Sequence, residues 1–346
     1  MSELALLGHD LFGEVIKRKA TGPVAERFTF SPFTILDARA GEWQERKRSW
    51  LAMGIKSWDG RQTSPGGSPM VLGYGKDGEK LEGQFDGREG LGDTCASSMS
   101  YFNGGKTIAG DSGSIFDPVL CEIAYRWFSP AQGQIVDPFC GGSVRGIVAK
   151  ALGRKYWGCD LRQEQIAANI AQAEEIFDGY EGHSQALQGV EPPDLHWVCG
   201  DSMDTLATAP KADFVFSCPP YGDLEKYSND PSDLSNMEWH TFVAAYKRVI
   251  LRTVERMKPD TFACFVVGDF RDPKGFYRNF VSTTIEAFED CGVRLYNEAI
   301  LATAVGTAAL RVTRQFEAGR KLVKLHQNVL VFCNGDWRKA AAKCSV

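Results

Sequence analysis

No apolar run in this 346-residue chain approaches the roughly 20 residues needed to span a bilayer. No basic stretch followed by an apolar core opens it, so neither an anchor nor a secretory leader is expected. The 10 cysteines contain no C-x-x-C pair, and the 5 histidines form no cluster. That spacing sets a metal site aside and leaves reduced, mostly buried thiols in a cytoplasmic chain. No internal repeat is visible, which sets solenoids aside. Positive charge is also scarce: 39 Lys and Arg stand against 44 Asp and Glu, a formal net charge of −5. A polyanionic partner would therefore have to meet a local basic face. What is present is globular, with 43% apolar and 24% charged residues and length for one or two domains. Composition fixes no oligomeric state, and a homodimer is compatible with it.

The run Ala212-Asp213-Phe214-Val215-Phe216-Ser217 reads as a buried strand. Cys218-Pro219-Pro220-Tyr221 follows at once, and two prolines forbid both continued strand and immediate helix. A stiff corner is thus expected at the carboxyl end of a strand, where open α/β sheets bind ligands. Tyr221 holds an aromatic face on that corner, suited to stack a planar group whose exocyclic nitrogen meets main-chain carbonyls. Chemistry on an extruded nucleobase needs such a surface.

Upstream, Gln134-Ile135-Val136-Asp137-Pro138-Phe139-Cys140-Gly141-Gly142-Ser143 leads into a helix expected from about Val144 to Leu152. Strand, glycine turn and helix let a backbone approach a ligand closely. Tyr156 to Cys159 is the next strand and ends in Asp160-Leu161, about 20 residues past the glycines, the place of a ribose-binding acid. His196 to Cys199 gives a third strand; beyond it Asp201-Ser202 suits an adenine edge.

These segments together resemble the amino-methyltransferases of DNA, which move a methyl group from S-adenosylmethionine to adenine N6 or cytosine N4. Asp137 to Gly142 resembles the family's D-P-F-x-G-x-G loop, and Cys218 to Tyr221 its D/N/S-P-P-Y/F corner. Ile115-Phe116-Asp117-Pro118 resembles the segment that closes over the cofactor's methionine end. The match runs from about Ser114 to Asp336 and is similar in flavour to stand-alone bacteriophage enzymes. It implies S-adenosylmethionine across Phe116, Asp137 to Ser143, Asp160, Leu161, Asp201 and Ser202. It implies catalysis at Cys218, Pro219, Pro220 and Tyr221 on a flipped base, with double-stranded DNA as partner and adenine favoured over cytosine. Two departures stand out. Gly141-Gly142-Ser143 replaces glycine, any residue, glycine. Cys218 takes a place where the family has Asp, Asn or Ser, and a thiol is a weak hydrogen-bond acceptor. Cytosine-C5 chemistry is disfavoured, since its family uses a Pro-Cys pair and this chain has none. RNA or protein-glutamine methylation, a non-catalytic binding relative, and transfer of a larger group remain alternatives.

The layout implies a doubly wound, mostly parallel seven-stranded α/β sheet over residues 113–338, to which the family resemblance adds a closing antiparallel strand. Ile166, Ile170, Ala173 and Phe177 recur at helical spacing, as do Phe242, Tyr246, Val249, Ile250, Val254 and Met257. Lys258-Pro259-Asp260 is expected to stop the second helix, with a strand from Thr261, a helix from Gly275 to Phe288, and strands near 295–303 and 328–332. Residues 1–112 read as an irregular region with a target-recognition role. It holds a strand near Ile35, a helix from Trp43 to Ile55 and a glycine-rich stretch over 60–93. Basic candidates for phosphate contact are Arg46, Lys47 and Arg48, and Arg311, Arg314 and Arg320. No separate C-terminal recognition domain is expected.

Overall fold

The computed structural model describes residues 23–56, 116–178, 195–222 and 227–344. The stretch 60–93 and the segment 97–111 lie outside the described residues. The first elements are α1 (Pro23–Phe28), β1 (Ile35–Asp37), α2 (Gly41–Ala52) and α3 (Pro118–Phe128). The alternating series follows: β2 (Gln134–Asp137), α4 (Val144–Ala151), β3 (Lys155–Asp160), α5 (Gln163–Asp178), β4 (Leu195–Cys199), α6 (Ser202–Thr205) and β5 (Ala212–Ser217). Then come α7 (Trp239–Arg256), β6 (Met257–Val267), α8 (Phe280–Glu289), β7 (Arg294–Ala302), α9 (Ala309–Gly319), β8 (His326–Asn334) and α10 (Trp337–Lys343).

The strands form one sheet in the order β1-β7-β8-β6-β5-β2-β3-β4. Every pairing is parallel except those of β8 with β6 and β7. This is a Rossmann-like, doubly wound α/β fold with the closing antiparallel strand that the family resemblance implied. Among the described residues it has eight strands rather than seven, because β1 adds in parallel to the outer edge of β7.

The central strands are apolar on both faces, as parallel strands covered by helices must be. Phe262, Cys264 and Val266 enter one core layer, and Ala263, Phe265 and Val267 the other, the period of two of a strand. Helix α7 brings Phe242, Tyr246, Val249 and Ile250 to the second layer. In α5, Ile166 and Ala173 are buried with Ile176, but Ile170 is exposed and leaves the expected stripe.

Local readings differ in four places. Strand β6 begins at Met257, because Met257 already pairs with Ala212. The chain accommodates Lys258-Pro259-Asp260 within the strand through a register shift and a left-handed Asp260, φ 54°. Helix α8 begins at Phe280 instead of Gly275, and Asp269 accepts from the Val281 amide at its start. Residues 309–319 form a helix in a stretch to which the sequence reading assigned no element. Helix α3 was also not anticipated, although Asp117 and Pro118 are a capping acid followed by a first-turn proline. No helix among the described residues is long and apolar enough to cross a membrane.

Candidate active site

The chain runs from β2 outward to β3 and β4, then returns to place β5 on the other side of β2. Helices diverge at such a reversal and leave a crevice at the carboxyl ends of the two strands. The ends of β2 and β5 are tied together there, since Ser217 Oγ donates to Asp137 Oδ1 at 2.6 Å. A cleft of about 930 Å³ opens above them.

Most expected site residues meet in this cleft. Phe116, Pro138, Phe139, Cys140, Gly141, Gly142, Asp160, Leu161, Asp201, Ser202 and all four residues from Cys218 to Tyr221 line it. Asp137 and Ser143 do not, for a physical reason. Asp137 is fully buried and accepts four hydrogen bonds, from Arg145 Nε (2.6 Å), the Tyr156 hydroxyl (2.8 Å), Ser217 Oγ and the Phe139 amide (3.1 Å). Its lone pairs are committed inside the protein. Ser143 is buried too, with its hydroxyl on Gln172 Oε1.

The glycine loop is held from below and from the side. Arg145 donates to Asp137 and also to the carbonyls of Phe139 (2.6 Å) and Cys140 (2.9 Å). Burial alone would lower the pKa of this guanidinium, but the adjacent Asp137 charge outweighs that and holds it raised. From α5, Asn169 Nδ2 donates to the Gly141 carbonyl at 2.7 Å, while Gln165 Nε2 donates to Asn169 Oδ1 at 3.0 Å. Arg145, Gln165, Asn169 and Gln172 were missed in the sequence. The last three recur at helical spacing, a polar stripe whose burial gives it meaning. Gly141 has φ +48°, and a Cβ built on it meets nothing within 4 Å. The residue therefore bares its backbone to the cleft in a conformation that favours glycine.

Asp160 accepts from the Arg162 amide at 2.9 Å, and burial pushes its carboxyl above the ordinary value. Asp201 caps α6 through the Met203 amide at 2.8 Å. Ser202 Oγ donates to the Pro138 carbonyl at 2.5 Å and lies 3.4 Å from Cys159 Sγ. Cys140 and Cys159 are fully buried in the two core layers, and that burial raises the Cys159 thiol to about 12 and Cys140 well above its usual value. The donor set is thus carboxylates, main chain and apolar side chains, which suits a nucleoside joined to an amino acid.

At the corner, Pro219 is buried and Cys218 half-buried, packed against both core layers. Tyr221 is 3% exposed. Its ring meets Phe270 and Phe280 edge-on at 6.1 and 5.9 Å, and its hydroxyl accepts from Gln327 Nε2 at 3.0 Å. Gln327 was another residue that the sequence did not single out. Beyond the corner, residues 223–226 lie outside the described residues. The loop over 227–236 is tied to itself through Asp233, which accepts from Ser228, Ser235 and the Ser235 amide. Tyr227, Pro231, Ser232, Asp233 and Leu234 of that loop line the cleft.

The first basic cluster divides. Arg46 forms a two-pronged pair with buried Glu122, including Nε to Oε2 at 2.5 Å, so it holds α2 on α3. Lys47 binds Asp117 at 3.1 Å and lines the cleft together with exposed Arg48. Helix α2 therefore covers part of the cleft. Arg314 and Arg320 are exposed on and after α9, and the Arg311 side chain lies outside the described residues.

No family model and no curated protein matches the chain. Solved structures similar to it include TrmN from Thermus thermophilus, at 13% identity and TM-score 0.40 over 63% of this chain and 49% of that one. A putative SAM-dependent methyltransferase from Streptococcus mutans matches at 13% identity and TM-score 0.42, over 63% and 49%. Precorrin 8W decarboxylase from Methanobacterium thermoautotrophicum matches at 14% and 0.39, over 63% and 91%. The chain spans about half the length of the first two. These partial likenesses carry no assignment of reaction, which rests on the site itself.

Proposed function

We propose that this chain transfers a methyl group from S-adenosylmethionine to the exocyclic amino group of a flipped DNA base, adenine N6 before cytosine N4. The observation that carries the reading is the meeting of two motifs distant in sequence. The Cys218-Pro219-Pro220-Tyr221 corner and the Gly141 loop face one cleft across the switch point, with Asp160 beside them.

The residues fit the cofactor. The bare backbone at Gly141 admits close approach, Asp160 offers carboxylate oxygens to ribose hydroxyls, and Leu161, Met203 and Phe139 offer apolar surface. Phe116 is held between the Arg145 guanidinium, 4.6 Å from its ring centre, and Phe216, and supports the methionine side. Bound S-adenosylmethionine supplies an electron-poor sulfonium, so a nitrogen–methyl bond forms as the sulfur–methyl bond breaks and the amino proton passes to water. The protein contributes position. Tyr221 gives a stacking surface fixed by Phe270, Phe280 and Gln327. The Pro219 carbonyl and Cys218 are the acceptors this corner offers to the amino hydrogens.

The test is mass spectrometry of nucleosides from DNA and RNA of a methylase-free host expressing the intact chain or Tyr221→Ala. N6-methyladenine in DNA from the intact chain alone is the expected result. A modified base confined to RNA would move the substrate. No modified base in either, with S-adenosylmethionine bound, would overturn the reading.

A further inference from the structure

One surface remains outside this chemistry. The loop over 268–279, between β6 and α8, carries Arg271, Lys274 and Arg278. The segment 312–325, from α9 to β8, carries Arg314, Arg320, Lys321 and Lys324. Only Asp269, Asp272 and Glu317 oppose these seven cations within the two stretches, in a chain whose net charge is −5. Asp269 and Asp272 already accept from the amides of Val281 and Phe276.

The two stretches form one rim. The Lys321 amino nitrogen lies 3.0 Å from where a Cβ on Gly275 would stand. Closer to the cleft, Lys324 Nζ and Tyr221 Cε1 lie 3.4 and 3.7 Å from the corresponding point on Gly268. A path of cations thus leads outward from the catalytic tyrosine. Aromatic rings are interleaved along it. Phe276 is 72% exposed, Tyr277 has the Arg271 guanidinium 4.1 Å from its ring centre, and Phe316 has that of Arg320 at 5.1 Å. Exposed apolar rings cost free energy in water unless something covers them.

We propose that this rim binds the nucleic-acid strand that carries the target base, with phosphates on its cations and a neighbouring base on Phe276. The inference rests on the methyltransferase reading and adds where the strand lies. Cations that follow a backbone and rings that stack bases are the two requirements of a single-strand track. The rim meets both beside Tyr221, whereas Arg46 of the other cluster is held by Glu122.

The test measures fluorescence anisotropy of labelled DNA and RNA strands of about 16 nucleotides with the full chain, across a salt series. The triple variant Lys274→Gln, Arg314→Gln, Lys321→Gln should bind at least tenfold more weakly. Its log–log salt slope should flatten by about 2, since each single-strand phosphate contact contributes roughly 0.7. Phe276→Ala should weaken binding about fivefold to tenfold and leave the slope unchanged. The matched triple Lys155→Gln, Lys211→Gln, Lys339→Gln removes equal charge from the amino-terminal edge of the sheet and should bind as the parent does. S-adenosylmethionine binding should be the same in all four. Equal weakening by the two triples would overturn the rim and leave the proposed reaction standing. Binding of RNA alone would support the rim and displace DNA as substrate. A parent chain that ignores both strands but binds phosphatidylserine vesicles would overturn the rim and leave the reaction to the nucleoside analysis.

Discussion

A single atom type at position 218 sets the first expectation at the residue scale. A thiol accepts a hydrogen bond poorly, and a hydroxyl of nearly the same size accepts it well. Cys218→Ser should therefore raise kcat by roughly threefold to tenfold, the value of part of one hydrogen bond to a neutral group, with cofactor KM unchanged. A loss of rate would show that position 218 does not face the amino group. Asp160 presents the opposite bargain. Burial raises its pKa, so its ionised form costs the empty protein stability above the pKa of the unfolded chain. Asp160→Asn should raise the melting temperature near neutral pH, with the gain vanishing at pH values below that unfolded pKa. The same variant should weaken S-adenosylmethionine binding at least tenfold by calorimetry, about 1.4 kcal/mol for one charge-assisted bond. Unchanged affinity would remove Asp160 from the ribose site.

Elements are joined here by buried charges, and those joints are testable. Glu122 of α3 is fully buried and accepts from Arg46, Trp50 and Arg126. Burial pushes its pKa up, but the charges and hydrogen bonds of Arg46 and Arg126 and the Trp50 indole bond outweigh that and hold it below the ordinary value. A depressed carboxylate contributes stability above its unfolded pKa and loses it as pH falls through the folded one. The melting-temperature difference between the parent and Glu122→Gln should accordingly shrink on acidification. Arg46→Ala should cost about 3 kcal/mol in denaturant unfolding, because it strips a principal partner from a buried charge. A cost below about 0.5 kcal/mol would place Arg46 among solvated surface residues. In the glycine loop, Arg145→Ala strands Asp137 in the same way and should cost at least as much, with cofactor affinity lost as well.

The whole molecule draws its cleft from segments far apart in the chain. Lys47 on α2, Phe116 before α3, Gly141 after β2, Tyr221 after β5 and Thr303 after β7 all line it. Thermal stability should thus rise on S-adenosylmethionine binding, by about 2.7 kcal/mol at one hundredfold excess over Kd. Tyr221→Ala should keep that shift while losing transfer, and a loss of both would merge the two roles assigned to opposite sides of the cleft.

Local patterns sufficed for much of this. Two prolines after an apolar run permit few backbones, so the corner at 218–221 was legible, as were the glycine turn, the acid that ends β3 and the acid just beyond β4. Apolar periodicity placed α5, α7 and most strands, because period 2 and period 3.6 are written in side-chain order. Tertiary structure alone decided the rest. Whether a polar residue is buried depends on its neighbours in space, so the helical spacing of Asn169 did not reveal its place under the glycine loop, and Gln327 on Tyr221 carried no sequence signal. The same holds for Asp137, turned from an expected cofactor contact into the tie between β2 and β5, and for Arg46, turned from an expected phosphate contact into an internal pair. The charge of each is plain in the chain, but its partner was set when the sheet brought together residues 80 positions apart and the packing of α2 on α3 joined residues 76 apart.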